Sequence, residues 1–213
     1  MAGVMKEIAH RLASALAGRV YLPYSLRTRL TREGGAMLVH VSDTPWEIYG
    51  FLRKLLRRIQ PGYVVHTGDL VDDIKLEYDP HKRDRWETRS RQLLRILEGE
   101  GSRTVYVVPG NHDDPELLEA ISGRSQVVPA GPREIGGRLF HLDHYGPGGA
   151  ARAEFDLYGH SKTPGAMQTD RGRLLNGLVS VSVIDLSRGT VYAVSYPMDT
   201  DRYRLLERGG SGM

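Results

Sequence analysis

Five short polar stretches hold most of the side chains in this sequence that can bind a metal or move a proton. They are SDTP (42–45), GDLVDD (68–73), GNHDD (110–114), LDHYG (142–146) and YGHSK (158–162). Together they offer carboxylates (Asp43, Asp69), an amide (Asn111) and imidazoles (His144, His160). A mixed oxygen and nitrogen set of this kind suits manganese, iron, nickel or zinc better than calcium or magnesium, which prefer oxygen shells. The chain has no cysteine, so thiolate ligands and disulfides are excluded. Each stretch alone has an ordinary reading. An aspartate after a strand is commonly a turn or helix cap, GDLVDD can be a turn with a solvated acidic run, and Asp114-Pro115 is a good helix start. Their shared position, each just after an apolar strand-like run, points instead to one site.

The elements that must position them follow a rhythm. Strands are expected at 36–41, 63–66 and 104–108, separated by helices at 45–59 and 84–98. That alternation implies parallel pairing through right-handed crossovers. After a short helix at 115–121 the pattern turns to β, with QVV, RLFHLDH, FDLYGH, LVSVSVIDL and TVYAVSY divided by Gly, Pro and Asn, and a hairpin turn at 185–190. In open α/β sheets ligands bind beyond the carboxyl ends of the strands, so the five stretches can converge on one rim. Glycines before Asp69, Asn111 and His160 suit tight turns close to a ligand. The lone histidines His40, His66 and His141 read as satisfied core or rim residues.

A chain of 213 residues suits one domain, and no apolar run approaches the ~20 residues of a membrane span. Lys6, Glu7, His10 and Arg11 interrupt the N-terminus, which lacks the apolar core of a signal peptide, and a cytoplasmic location is expected. A net charge of +3 with scattered basic residues tolerates an anionic substrate. No basic-aromatic motif points to stand-alone nucleic-acid binding, although a nucleotide substrate stays open. Residues 4–17 read as a helix with an Ile8, Leu12, Leu16 stripe, which packs on its own domain or meets a second copy or a protein partner.

The five motifs, in this order, resemble the calcineurin-like metallophosphoesterases, and most closely their small bacterial and archaeal phosphodiesterase branch. The resemblance implies a four-layer α/β/β/α sandwich with mixed sheets over residues 36–196, between an N-terminal extension (1–35) and a C-terminal tail (197–213). It also implies metal-dependent hydrolysis of a phosphate ester, commonly a phosphodiester. One metal would be held by Asp69, Asn111, His144 and His160. The other would be held by Asp43, Asp69 and two histidines, whose positions here are Pro45 and Lys162. One site thus reads as intact and the other as stripped, with one or two divalent ions per chain and one favoured. His112 matches the family's histidine that assists departure of the leaving group, and Asp113 is expected to orient it.

Thr44-Pro45-Trp46-Glu47 also makes a helix start, with Thr44 as N-cap and Glu47 closing a capping box. Lys162 is expected either to reach between Asp43 and Asp69 in place of the missing metal, or to contact substrate phosphate, or to lie in solvent. Asp72 and Asp73 are candidate replacement ligands. Arg152, Arg171 and Arg173 are candidate phosphate contacts or members of a solvated face. The alternative to an enzyme is a scaffold or binding protein that kept the fold and lost the chemistry.

Overall fold

The structure, a computed structural model, describes residues 20–32, 36–76, 78–99, 103–147 and 151–204. The expected helix at 4–17 lies outside them.

Two mixed sheets stack face to face. The first has strand order β11-β10-β1-β2-β3-β4. Its strands are β1 (Met37–Val41), β2 (Tyr63–His66), β3 (Thr104–Val107), β4 (Gln126–Val127), β10 (Val181–Asp185) and β11 (Thr190–Val194). β1 to β4 run parallel, and β10 and β11 add an antiparallel hairpin beside β1. The second sheet has order β5-β6-β7-β9-β8. It comprises β5 (Gly131–Ile135), β6 (Arg138–Leu142), β7 (Phe155–Tyr158), β8 (Met167–Gln168) and β9 (Arg173–Asn176). Its middle strands β6, β7 and β9 are parallel.

Two apolar layers hold this together. Leu38, Val65, Phe140, Phe155, Leu157 and Ile184 fill the space between the sheets. The outer face of the first sheet is covered by helices α1 (Tyr24–Arg32), α2 (Tyr49–Ile59), α3 (Arg83–Glu98) and α4 (Pro115–Ile121). α2 buries Tyr49, Leu52, Leu55, Leu56 and Ile59, a stripe at helical spacing, and stops where Gln60 turns left-handed before Pro61. α4 starts as its sequence dictates, with the Asp114 side chain accepting from Leu117 N–H at 3.0 Å. The outer face of the second sheet carries a small cluster of Ala151, Tyr158 and Leu174, and no helix among the described residues.

One local expectation is corrected. The segment before α2 is a 3-10 turn, Trp46–Ile48, and Thr44 does not cap it. Thr44 Oγ1 donates instead to the Leu70 carbonyl at 2.8 Å, and Asp73 accepts from Trp46 N–H at 3.4 Å. Ahead of β1, α1 joins the core, with Leu22 and Leu26 buried and Arg29 paired to buried Asp185 at 2.5 Å. The tail supplies α5 (Thr200–Tyr203) and buried Arg204, whose Nε donates to the Asp43 carbonyl at 2.8 Å. No described helix is long and apolar enough to cross a membrane.

Candidate metal centre

Each of the five polar stretches follows a parallel strand at its carboxyl end. Asp43 follows β1, Asp69 follows β2, Asn111 and His112 follow β3, His144 follows β6, and His160 follows β7. The two sheets therefore deliver their loops to one rim, as strand polarity requires. The loops are also bonded to each other. Asp43 N–H donates to Gly68 O at 3.0 Å, Thr44 N–H to Asp69 O at 3.1 Å, and Gly159 N–H to His144 O at 3.0 Å. Asp43, Asp69 and His160 all take positive φ (51°, 54° and 63°), a conformation uncommon outside glycine that gathers at functional sites. Gly110 permits a close approach, since a Cβ there would strike Asp69 Oδ1 and its backbone nitrogen.

The donor atoms converge. His144 Nδ1 lies 2.7 Å from the Thr67 carbonyl, a contact that only an N–H can satisfy, so the neutral ring leaves Nε2 bare. That Nε2 stands 2.9 Å from Asn111 Oδ1 and 3.8 Å from Asp69 Oδ2. His160 Nδ1 is 3.1 Å from the same amide oxygen, while the amide nitrogen faces His112 Nε2 at 2.9 Å. Atoms bound to one ion at ~2.1 Å sit roughly 3.0–3.4 Å apart in octahedral or tetrahedral shells. The observed 2.9–3.8 Å spans that range. Asp69, Asn111, His144 and His160 therefore fit a divalent transition metal. Asp43 extends the group, since donor atoms of Asp43, Asp69 and His144 lie within 4.8 Å of one another, all buried.

Electrostatics agrees. Burial, and then the charge of Asp69, pushes Asp43 up to about 7. The same two causes push Asp113 up to about 7. Burial, followed by neighbouring His144, lowers His160. Carboxyls that resist ionisation and imidazoles that resist protonation mark a pocket suited to an added cation.

On the Asp43 side, the two positions where the family resemblance puts histidines are Pro45 and Lys162. Pro45 offers no donor side chain. Lys162 does not reach between Asp43 and Asp69; its ammonium pairs with Asp201 at 2.5 Å, and its side chain is half exposed. Lys75, which sequence reasoning passed over, lies among the carboxylates instead, 2.6 Å from Asp72 Oδ1 and 3.4 Å from Asp69 Oδ2. Asp73 is held by Arg89.

The remaining site residues divide. His112 is buried, donates its backbone N–H to Asp69 Oδ1 at 3.2 Å, and has the exposed ring of Tyr78 5.6 Å away. Asp113 does not orient the His112 ring. Its carboxylate accepts from the N–H groups of Asp69 (2.9 Å), Leu70 (3.0 Å) and Gly110 (2.8 Å), and so ties two ligand loops together. Arg152 sits at the rim, paired to Asp143 at 2.9 Å. Arg173 pairs in register with Phe155, at the end of β7 opposite His160, and Arg171 in the preceding turn lies at that far end too. Tyr145, another residue the sequence did not single out, stands at half exposure with its ring 4.6 Å from His160. His40 and His66 are buried, bonded to Thr67 and Thr44, and burial holds both near 3, as core histidines.

A sheet sandwich with this rim and donor set is the architecture of a metallophosphoesterase. The sequence profile of the calcineurin-like phosphoesterases matches residues 37–178, and the chain belongs to that family. Solved structures similar in fold include Yfce, a phosphoesterase from E. coli, at 16% identity and TM-score 0.51 over 76% of this chain and 99% of that one. Another solved chain, 12% identical, reaches a TM-score of 0.58 over 76% of this chain and 100% of its own. The Pseudomonas putida nuclease MPE is 16% identical, with a TM-score of 0.40 over 73% of this chain and 86% of its own. Among curated protein sequences none matches this chain.

Proposed function

We propose that this protein is a metal-dependent phosphoesterase that hydrolyses phosphodiesters with a single divalent transition ion. The observation that carries the reading is the convergence of His144 and His160 on Asn111 Oδ1, with Asp69 Oδ2 3.8 Å from His144 Nε2. An ion bound there supplies Lewis-acid polarisation of a phosphoryl oxygen and acidification of water.

The chain's own residues do the rest. Thr67 O fixes the His144 tautomer so that Nε2 faces the donors. Asp113 holds the Asp69 and Gly110 loops in mutual register. His112, against the donor set and under Tyr78, is placed to protonate the departing alkoxide, assistance worth ~10²–10⁴-fold. A diester is favoured over a monoester by charge. A monoester near neutrality carries about −1.5 to −2, a diester only one negative charge. The rim cations Lys162 and Arg152 are already paired to Asp201 and Asp143, so little positive charge is left for a second anionic oxygen.

The experiment is hydrolysis of bis(p-nitrophenyl) phosphate and of p-nitrophenyl phosphate by protein loaded with manganese, nickel, iron or zinc. Turnover of the diester that His160→Ala abolishes supports the reading. Failure to hydrolyse either ester with any ion overturns it in favour of a scaffold that has kept the fold without the chemistry.

A further inference from the structure

The pocket on the Asp43 side of the centre holds three buried carboxylates, Asp43, Asp69 and Asp72, at 1%, 3% and 1% exposure. Such a group is strongly self-repelling unless a cation lies among its members. The usual means of supplying one is absent, since Pro45 has no donor and Lys162 is committed to Asp201 at the surface. A cation is nevertheless present. The Lys75 side chain is 11% exposed, and its ammonium lies 2.6 Å from Asp72 Oδ1 and 3.4 Å from Asp69 Oδ2.

We propose that Lys75 is the resident cation of this pocket, standing in place of a second metal, so that the centre is built from one ion and one lysine. The inference rests on the one-ion reading above and adds the residue responsible for it.

Local structure puts Lys75 there. Asp69, Asp72 and Lys75 are spaced by three along a turn-rich loop, and the ammonium of Lys75 reaches the carboxylates of both. Asp72 N–H donates to Thr44 O at 3.3 Å, which draws the loop against the Asp43 segment. The Lys75 carbonyl accepts from Asp79 N–H at 3.0 Å, closing the next turn and holding the stem in place. An ammonium has three donors and no acceptor, and two of its partners here are carboxylate oxygens. Asp72 Oδ2 is buried without a hydrogen-bond partner, so acceptor capacity remains beside the ammonium. Asp69 is the hinge of the arrangement, because one carboxylate serves both the lysine and the donor set of Asn111 and His144.

The test is metal uptake by the full chain, read by plasma mass spectrometry after gel filtration and by manganese(II) electron paramagnetic resonance. Wild type, Lys75→Arg and Lys75→Gln are compared. Wild type and Lys75→Arg should take about one ion per chain with an isolated-ion spectrum, while Lys75→Gln should admit a second and show spin coupling. One uncoupled ion in Lys75→Gln would overturn the role of Lys75 alone, whereas two ions in wild type would overturn it together with the one-ion stoichiometry; either result leaves phosphoester hydrolysis standing. No ion in any variant would overturn the one-ion reading and this proposal with it. Amine-directed acetylation of wild type keeps the question decidable should Lys75→Gln not fold. Lys75 should stay protected with and without manganese, whereas labelling that rises on manganese addition means the lysine is displaced.

Discussion

His144 Nε2 stands 2.9 Å from Asn111 Oδ1, and in the tautomer that the Thr67 carbonyl imposes both atoms are acceptors. Two lone pairs held at that distance repel unless the imidazole is charged or a cation lies close to both. Asn111→Ala should therefore weaken manganese binding by ~10²-fold or more, the loss typical when a metal's coordination is disturbed, while the metal-free chain keeps its stability. Competition with a fluorescent chelator reads the affinity. Unchanged binding would separate Asn111 from the metal.

His112 reaches the centre through the Asn111 amide, 2.9 Å away, and through its backbone bond to Asp69. If its ring protonates the leaving group, His112→Ala should lower kcat by ~10²–10⁴-fold with metal content unchanged. The loss should shrink for esters of p-nitrophenol, whose anion leaves without a proton, and grow for alkyl esters. An equal loss on both would make His112 structural.

The buried carboxyls Asp43, Asp72 and Asp113 are each raised to about 7, by burial first. For Asp43 and Asp113 the charge of Asp69 adds to this; for Asp72 the charges of Asp43 and Asp69 add while Lys75 opposes them. In an unfolded chain such groups ionise near 3.9. Between those values the folded chain keeps protons that the unfolded chain has released, so raising the pH destabilises the fold. Chelator-treated protein should thus lose stability, on the order of a few kcal/mol in all, between about pH 4 and about pH 7. Manganese should restore it at the upper end, because the ion needs the ionised ligands. Calorimetry across that range checks both; a melting temperature that climbs steadily to neutrality would contradict the first.

Gly110 lies where a methyl group would collide with the Asp69 side chain and backbone, and its N–H is one of the three held by Asp113. Gly110→Ala should cost about 1–3 kcal/mol through overpacking and should lower metal affinity by moving Asp69. Thermal denaturation and chelator competition together read the two effects. A variant that melts and binds like wild type would mean the loops have slack that their hydrogen bonds do not suggest.

Much of this was legible from local pattern. The alternation of apolar strands and amphipathic helices fixes the parallel core, and the five polar loops lie at the strand ends where that topology puts them. What escaped depends on partners far along the chain. β5 reads GPREI, whose Arg133 and Glu134 hide an edge strand that pairs with β6. α1 reads as a basic segment, because nothing nearby shows that Arg29 will meet Asp185, 156 residues away. Arg204 looks like part of a tail until it is found against the Asp43 carbonyl. Lys162 and Lys75 could not be told apart by motif. Lys162 occupies the register of a missing histidine, while Lys75 sits in an acidic loop that reads as solvated, and only the folded turn brings it inward.

The most direct test of the central claim is a crystal structure of the full chain grown with manganese, with anomalous scattering used to locate the ions. A single anomalous peak is expected among Asp69, Asn111, His144 and His160, with the Lys75 ammonium still beside Asp72. A second peak of comparable height between Asp43 and Asp69, with Lys75 swung out, would contradict the claim.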